Sequence, residues 1–304
     1  MAQLHWKIWW LAARPKTLTA AIAPVIVATS LTHFLAFELS WWVLLCTLLA
    51  SLAIQIATNF FNDAIDFMKG TDTAERLGPT RITQAGLSAP HLVMRAALIC
   101  LAFAFLISIP LIVHGGWPIL LIGLSSLFLG YAYTSGPFPL SYKGVGEIFV
   151  ILFFGVIAVS GIVYLLTAQW WLEAFVAGLQ IGLLCTVLLA INNLRDVVGD
   201  KANHKLTFPV RFGIPTAKIE IAFLLFFPFV LQLYWLGRSS FFVFILPFVA
   251  LPKAIQLMRK IWATEPSARY NIFLGEAALI HLLFALWLAG SLWWNAPSGT
   301  LLIP

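Results

Sequence analysis

Long apolar stretches separated by polar segments dominate the chain. Nine stretches stand out, at 18–37, 40–58, 92–113, 117–134, 145–166, 170–191, 218–236, 239–257 and 272–294. Each is close to the length of about 20 residues that an α-helix needs to cross the hydrocarbon core of a bilayer. Lipid offers the backbone no hydrogen-bond partners, so a spanning segment must be helical. The pattern predicts an all-α polytopic membrane protein with nine transmembrane helices.

The composition agrees with this interpretation. Hydrophobic residues make up 61% of the 304 residues and charged residues 10%, whereas a soluble domain has about 45–50% apolar and about 25% charged residues. This excludes soluble globular, disordered and fibrous classes. The three cysteines lie inside apolar stretches, which excludes a disulfide framework. We predict one membrane domain covering residues 1–304.

The distribution of positive charge predicts the orientation. Of the 18 lysines and arginines, all but Arg238 lie on the side of the N-terminus and of the longer connections. Cytoplasmic loops carry an excess of lysine and arginine. We therefore expect a protein of the cell (inner) membrane with these connections in the cytoplasm. The net charge of +6 is explained by topology, so we expect no nucleic-acid partner.

Two clusters of acidic and amide residues lie where apolar stretches reach this predicted cytoplasmic side. The first consists of Asn62, Asp63, Asp66 and Asp72, and the second of Asn192, Asp196 and Asp200. A shift of 130 residues superimposes Asn62 on Asn192, Asp66 on Asp196 and Arg81 on Arg211. The clusters are thus predicted to be an internal repeat whose two copies face each other across the helix bundle.

Oxygen ligands of this kind are suited to Mg²⁺, which usually keeps several waters and bridges to substrate phosphates. Nearby cations and the metal would neutralise the charge of a departing diphosphate. The candidate cations are Arg81, Lys143, Arg195, Lys201, Lys205 and Arg211. The apolar bundle beneath would hold a long isoprenoid tail. The alternative is that the acidic residues form only surface ion pairs with these neighbours.

Four further residues have two interpretations each. Glu147, just inside an apolar stretch, is either functional or interfacial. Tyr133 is either an interfacial anchor or a cavity group. Arg14 and Lys16, at the mouth of the first stretch, would bind either a substrate carboxylate or lipid headgroups.

Five segments resemble the UbiA superfamily of intramembrane aromatic prenyltransferases. They are RPKTL at 14–18, NDAIDFMKGTD at 62–72, RLGPTRITQAG at 76–86, YTSGPFPLSYKGVGE at 133–147 and NNLRDVVGDKANHKLTFPVRFG at 192–213. Within the superfamily, the chain is most similar to the branch that prenylates 1,4-dihydroxy-2-naphthoate in menaquinone synthesis. This branch shares the long spacing between Asp66 and Asp72.

The resemblance implies nine helices around a central cavity capped by cytoplasmic loops. It implies transfer of a polyprenyl group from polyprenyl diphosphate to 1,4-dihydroxy-2-naphthoate with loss of CO₂, in contact with membrane lipid, to give demethylmenaquinol. Catalysis would rest on Asp66, Asp196, Lys143 and Arg81. Mg²⁺ would be held by Asp63, Asp66, Asp72, Asp196 and Asp200, with Asn62 and Asn192 assisting. The alternatives are another aromatic acceptor, a phytyl donor or a transporter.

Overall fold

The computed structural model describes residues 2–72, 76–135, 139–239 and 241–296, and all regular structure in these ranges is helical. The α-helices are α1 (Ala2–Ala13), α2 (Thr19–Phe34), α3 (Trp41–Met68), α4 (Pro90–Ala132), α5 (Leu140–Lys143), α6 (Gly146–Ile151), α7 (Ile157–Thr167), α8 (Leu172–Arg195), α9 (Val197–Ala202), α10 (Phe208–Val230), α11 (Leu233–Leu236), α12 (Phe241–Ile245), α13 (Leu251–Ala263) and α14 (Tyr270–Trp294).

Seven continuous helical segments within the described ranges are long and apolar enough to cross a membrane. The segments 6–17 and 19–34, bent by 52°, would together make an eighth. The all-α class and the integral membrane character are confirmed, whereas the predicted number of nine helices is higher than this count. The difference arises because the predicted spans 92–113 and 117–134 both fall within α4.

Helix α4 doubles back at Gly116. Its 43 residues would extend for about 64 Å if straight, twice the thickness of the hydrocarbon core. Gly116 has φ 68° and ψ −156°, a conformation that glycine adopts without a steric penalty. Ala97 before the break and Tyr131 after it both pack near Phe61 at the end of α3, while the break packs near Val43 at the start. The two halves therefore run antiparallel beside α3.

Helix α8 forms the centre of the main apolar core, which also contains α2, α10 and α14. It is more buried than the other spanning segments described. Helix α8 ends at Arg195, so the second Asn/Asp cluster begins in its last turn. The cluster therefore lies at the end of the central helix of the bundle. Buried side chains of α14, including Phe284 and Leu288, pack in the same core and fix α14 beside α8.

A π-helical segment, Leu152–Val156, connects α6 to α7 and packs directly against α8. A Cβ atom on Gly155 would lie 2.3 Å from the carbonyl oxygen of Gly178 and 2.4 Å from the Cα atom of Gly182. Small residues permit such close approach of helices in a membrane. The widened turn presents Phe153 and Phe154 to an apolar chamber described below.

Candidate active site

Both Asn/Asp clusters lie around one cavity of about 700 Å³. The cavity is bounded by the ends of α3 and α8, by the loop after α3, and by α9 with the segment that follows it. The residues that the sequence singled out and that line it are Arg14, Asn62, Asp66, Arg81, Tyr133, Asn192, Asp196, Asp200 and Lys205. The loops that cover it are joined, since Asn203 Nδ2 donates to the Thr71 carbonyl at 3.4 Å.

Asp66, in the last turn of α3, connects the two clusters. Its Oδ2 lies 2.8 Å from Arg81 Nη2 and 3.7 Å from Lys205 Nζ, and Lys205 follows the second cluster. Its Oδ1 accepts a hydrogen bond from the Tyr142 hydroxyl at 3.1 Å. A carboxylate from one copy of the repeat thus already pairs with a cation beside the other copy.

Arg81 is buried between two carboxylates. Besides Asp66, it contacts Asp72, with 3.4 Å between Nε and Oδ2, and it donates to the carbonyl of Asn62. Burial alone would lower the pKa of this guanidinium, but Asp66 and Asp72 more than offset it, so the pKa is raised. Asp72 also pairs with Arg76 at 2.9 Å and is fully buried behind the cavity wall. The structure therefore places Asp72 with arginines and not on the cavity surface.

Asp63 anchors the loop that carries Arg81. Its two carboxylate oxygens accept hydrogen bonds from the backbone N–H groups of Ile82 and Thr83, each at 3.0 Å. The Thr83 hydroxyl donates to the same carboxylate. Asp63 is next to Asn62 in sequence but lies on the face of α3 that the loop covers, so its oxygens are not directed at the cavity. Asp63 was expected to be a metal ligand; the structure gives it a loop-fixing position instead.

Asn62 and Tyr133 lie close together at the cavity wall. The Asn62 side-chain oxygen accepts a hydrogen bond from the hydroxyl of Thr134, the residue after Tyr133. Tyr133 lines both the polar cavity and the adjoining apolar chamber. Of the two interpretations of Tyr133, the cavity position is the one that the structure shows.

Arg195 is turned away from the cavity. Its side chain has no exposed surface, and its Nε and Nη2 donate to the two carboxylate oxygens of Asp196 at 2.8 and 2.6 Å. Nη2 also donates to Asn192 Oδ1 at 2.8 Å, and Nη1 to Asn271 Oδ1 at 2.7 Å. Arg195 is absent from the cavity lining among the described residues and pairs with Asp196, so its contact with a diphosphate stays a prediction.

Asp200, on the short helix α9, completes the second cluster. Its Oδ2 accepts a hydrogen bond from the Thr207 hydroxyl at 3.3 Å. Burial raises the pKa of this carboxyl to about 6; Lys205 opposes the rise and Asp196 adds to it. Asp200 is thus a carboxylate whose negative charge lacks a close cationic partner of its own among the described residues.

Four predicted cations are exposed and lie outside the cavity lining as the described residues define it: Lys16, Lys143, Lys201 and Arg211. Arg211 donates instead to the Lys143 carbonyl at 2.7 Å, which holds the loop before α6 against the start of α10. Glu147 is also absent from the lining. It is buried and accepts a hydrogen bond from Asn193 at 2.7 Å, a structural contact behind the second cluster.

Tyr142 is a site residue that the sequence reasoning missed. Its ring lies 4.6 Å from both Lys69 Nζ and Lys205 Nζ, measured to the ring centroid, within the range of cation–π attraction. Burial raises the pKa of its phenol and Asp66 raises it further, so Tyr142 remains a hydrogen-bond donor. The only signal in the sequence was its place in the segment 133–147.

Arg14 occupies an unusual backbone conformation beside the cavity. Its φ is 52°, in the left-handed region that residues other than glycine seldom adopt. Its Nη2 atom is buried without a hydrogen-bond partner. The adjacent backbone is held in place by Asn59, which donates to the Ala13 carbonyl at 2.9 Å and to Thr17 Oγ1 at 3.0 Å. A strained, fixed backbone thus presents an unpaired cation to the cavity.

An apolar chamber of about 120 Å³ adjoins the polar cavity within the bundle. Tyr133, Val150 and Phe154 line both spaces. The remaining wall of the chamber includes Pro24, Ile54, Leu129, Phe149 and Phe153. A ligand with a charged head and an apolar tail would find both environments in one continuous site.

The donor set fits a hard cation that is shared with a ligand. Among the described residues, no three His, Cys, Asp or Glu side chains are close enough to hold a metal by themselves. Mg²⁺ does not require that, since it is usually bound by one or two carboxylates plus substrate phosphates and water. Asp66, Asp196 and Asp200 with Asn192 supply such oxygen ligands around one cavity.

Comparison with known proteins relates this architecture to one family. Residues 21–276 match the model of the UbiA prenyltransferase family. The chain is 31% identical to 1,4-dihydroxy-2-naphthoate octaprenyltransferase of Bacillus subtilis over 94% of each chain. It is 32% identical to the Mycobacterium tuberculosis enzyme of the same name, over 93% of this chain and 96% of the relative.

The fold is also similar to solved structures. A UbiA homolog from Archaeoglobus fulgidus bound to GPP and Mg²⁺ superimposes with a TM-score of 0.68 at 15% identity, covering 94% of this chain and 99% of that one. A UbiA homolog from Aeropyrum pernix K1 gives the same TM-score at 12% identity, covering 89% and 96%. With a family match over most of its length and this shared fold, the chain belongs to the UbiA prenyltransferase family.

Proposed function

We propose that this protein transfers a polyprenyl group from polyprenyl diphosphate to 1,4-dihydroxy-2-naphthoate, with decarboxylation, at the cytoplasmic face of the inner membrane. One observation carries the proposal: two Asn/Asp clusters and the cations Arg81 and Lys205 share a cavity that continues into an apolar chamber. The names of the relatives in Bacillus subtilis and Mycobacterium tuberculosis support the choice of acceptor. We also propose that the chain forms one catalytic membrane domain.

In this proposal, Asp66, Asp196, Asp200 and Asn192 hold Mg²⁺ together with the diphosphate of the donor. When bound, the cation neutralises charge that develops on the leaving diphosphate. Asp63 and Asp72 contribute indirectly, because the first fixes the loop that carries Arg81 and the second pairs with that arginine. The Mg²⁺ and prenyl diphosphate in the Archaeoglobus fulgidus homolog are consistent with the choice of metal.

Arg81 and Lys205 bind the diphosphate oxygens. Both already face Asp66, at 2.8 and 3.7 Å, so a diphosphate entering the cavity would meet two cations at the same place. When the allylic C–O bond breaks, its electron pair leaves with the diphosphate. The apolar chamber holds the part of the isoprenoid tail next to the diphosphate and excludes water, which would otherwise trap the allylic cation.

Arg14 binds the carboxylate of the acceptor. Arg14 lines the cavity, its buried Nη2 has no hydrogen-bond partner among the described residues, and a buried guanidinium is most stable when it pairs with a carboxylate. The ring carbon that bears the carboxylate attacks the allylic cation, and the C–CO₂ bond then breaks to restore aromaticity. The electrons of that bond return to the ring, so no protein base has to remove a proton.

The function is tested with purified protein in nanodiscs, Mg²⁺ and a long-chain prenyl diphosphate. We expect a decarboxylated prenyl-naphthoquinol from 1,4-dihydroxy-2-naphthoate and far less product from 4-hydroxybenzoate, by mass spectrometry of the lipid extract. A prenylated benzoate as the main product, or a naphthoate product that retains its carboxyl mass, would contradict the proposed acceptor. Phytyl diphosphate in parallel tests the donor, since a phytyltransferase of Synechocystis is 25% identical.

The orientation is tested by cysteine labelling after the three natural cysteines are replaced by alanine. Met68→Cys, between Asp66 and Asp72 of the first cluster, and Lys201→Cys, beside the second, should react only from the cytoplasmic side. Trp117→Cys, next to the turn in α4, should react only from the opposite side. Labelling of Lys201→Cys from outside would overturn the proposed orientation.

A further inference from the structure

One side-chain amide at the start of α14 joins three separate parts of the chain. Asn271 Oδ1 accepts a hydrogen bond from Arg195 Nη1 at 2.7 Å. Asn271 Nδ2 donates to the Leu77 carbonyl, also at 2.7 Å. The amide therefore links α14 both to the end of α8 and to the loop after α3. This position therefore needs a side chain with both an acceptor and a donor. Asparagine and glutamine have both, whereas an ionised acid or an apolar residue does not.

Arg195 transmits this link to the second cluster. Its guanidinium has no exposed surface and pairs with both carboxylate oxygens of Asp196. Asp196 itself is partly exposed and lines the cavity. The planar fork of arginine matches a carboxylate in a fixed plane, which lysine cannot do. The orientation of the Asp196 carboxylate toward the cavity is therefore set by a group behind it.

We propose that Asn271 and Arg195 are positioning residues for the cation site, and that α14 and the loop after α3 set the geometry of Asp196 through them. This inference rests on the proposed function, in which Asp196 helps to hold Mg²⁺. A buried guanidinium N–H that loses its acceptor is costly. Without Asn271, the guanidinium turns toward another acceptor and the carboxylate of Asp196 turns with it.

The backbone of the loop packs directly against the guanidinium, which strengthens the inference. A Cβ atom on Gly78 would lie 2.7 Å from Arg195 Nη2, so the loop leaves no room for a side chain at this position. Four hydrogen bonds fix the guanidinium, so it cannot yield to a methyl group without losing a partner. Asn271 and Gly78 thus constrain Arg195 from two independent sides.

The test is the affinity of the purified full-length protein for Mn²⁺ with an unreactive thiolodiphosphate analogue of the prenyl donor bound, measured by electron paramagnetic resonance. Changes in residues that support a metal ligand typically weaken binding about 10–100-fold, so we expect Asn271→Ala to weaken Mn²⁺ binding by about 10-fold or more. Asn271→Gln, which retains both the acceptor for Arg195 and the donor for the Leu77 carbonyl, should restore most of the affinity. The Mg²⁺ concentration for half-maximal activity should rise in parallel with the Mn²⁺ dissociation constant, while kcat at saturating Mg²⁺ changes little.

The matched control is Asn295→Ala, at the other end of α14, where the amide donates to the Ser291 carbonyl at 2.8 Å. Gly78→Ala tests the same idea with Asn271 intact and should also weaken Mn²⁺ binding. Unchanged affinity in Asn271→Ala or Gly78→Ala, or equal loss in Asn295→Ala, would overturn the inference alone. If Asp196→Ala binds Mn²⁺ as tightly as the natural protein, the proposed metal site fails and this inference fails with it.

Discussion

The two Asn/Asp clusters share one aligned asparagine and one aligned aspartate, Asp66 and Asp196, but they obtain their positive charge differently. In the first, Arg81 reaches back from a loop to contact Asp66 at the cavity surface. In the second, the adjacent Arg195 is buried behind Asp196 and held by α14. Arg211, which the internal repeat aligns with Arg81, is exposed at the edge of the protein. The repeat therefore preserves one carboxylate, Asp66 in the first copy and Asp196 in the second, and differs in its cations.

The two arginines therefore differ in what they can contact. The contact between Arg81 and Asp66 faces the cavity, so a bound diphosphate can share the guanidinium with Asp66. Arg195 has no donor directed at the cavity and can act on a ligand only through Asp196. In the proposed function, the first cluster thus supplies an arginine for the substrate, whereas the second supplies Asp196, a carboxylate whose position is fixed from behind.

The largest expected effect is the loss of one carboxylate from either cluster. Asp66→Ala and Asp196→Ala should each lower kcat/KM for prenyl transfer at least about 100-fold, or ~2.7 kcal/mol, because each removes charge stabilisation of the leaving diphosphate. Membrane insertion should be unchanged. Glu38→Ala, an exposed carboxylate far along the chain from both clusters, is the control. If both variants keep more than about a tenth of the natural activity, the loss is below ~1.4 kcal/mol. That result would contradict the assignment of Asp66 and Asp196 as metal ligands.

The next effect tests the asymmetry of the cations. Arg81→Gln should lower kcat/KM about 30-fold, with a raised KM for prenyl diphosphate, since a charge-assisted hydrogen bond of roughly 1.5–3 kcal/mol is lost. Arg211→Gln, its counterpart in the repeat, should change kcat/KM less than about 2-fold, because Arg211 is exposed and its hydrogen bonds within the described ranges go to backbone carbonyls. Steady-state kinetics with both substrates varied distinguishes the two. Equal losses would show that the repeat is functionally symmetric after all.

A smaller effect is expected for Arg14, which lies outside both clusters. Arg14→Gln should raise the KM for 1,4-dihydroxy-2-naphthoate about 10-fold, since it removes one charged contact of roughly 1.5–3 kcal/mol. The KM for prenyl diphosphate should stay near its natural value. Lys16→Gln is the control, because Lys16 is exposed and two residues away. A rise in both KM values would place Arg14 with the diphosphate and contradict a separate acceptor site.

The smallest effects concern the hydroxyl groups that support one carboxylate in each cluster. Tyr142→Phe removes the donor to Asp66, and Thr207→Val removes the donor to Asp200. Each should lower kcat/KM only a few-fold, because the hydroxyl supports a carboxylate that remains in place and does not itself contact the substrate. The aromatic ring of Tyr142 would still lie beside Lys69 and Lys205. A loss as large as that of Asp66→Ala would mean that Tyr142 acts on the substrate directly.

The sequence alone was sufficient to predict the helical class and the proximity of the two clusters. Stretch length predicts the spans, charge asymmetry predicts that both clusters lie on the same side of the bundle, and two clusters there have few other places to lie. It was not sufficient to predict the contacts of Asp63, because these are made by backbone N–H groups of a loop about 20 residues further along the chain. The position of Asn271 beside Arg195, 76 residues apart in sequence, is a consequence of packing that no local pattern records.

The reversal of α4 has a consequence for how the protein is made. The segment 115–116 that turns the chain is two glycines, and the nearest ionisable residue is His114. No charged loop therefore has to be carried across the bilayer between the two halves of α4. During synthesis, the 43 residues can enter the membrane together as one closed hairpin, with α3 already present as a surface on which both halves pack. A charged insertion at this turn would hinder the biogenesis of the protein even though it lies at the end of the bundle opposite the Asn/Asp clusters.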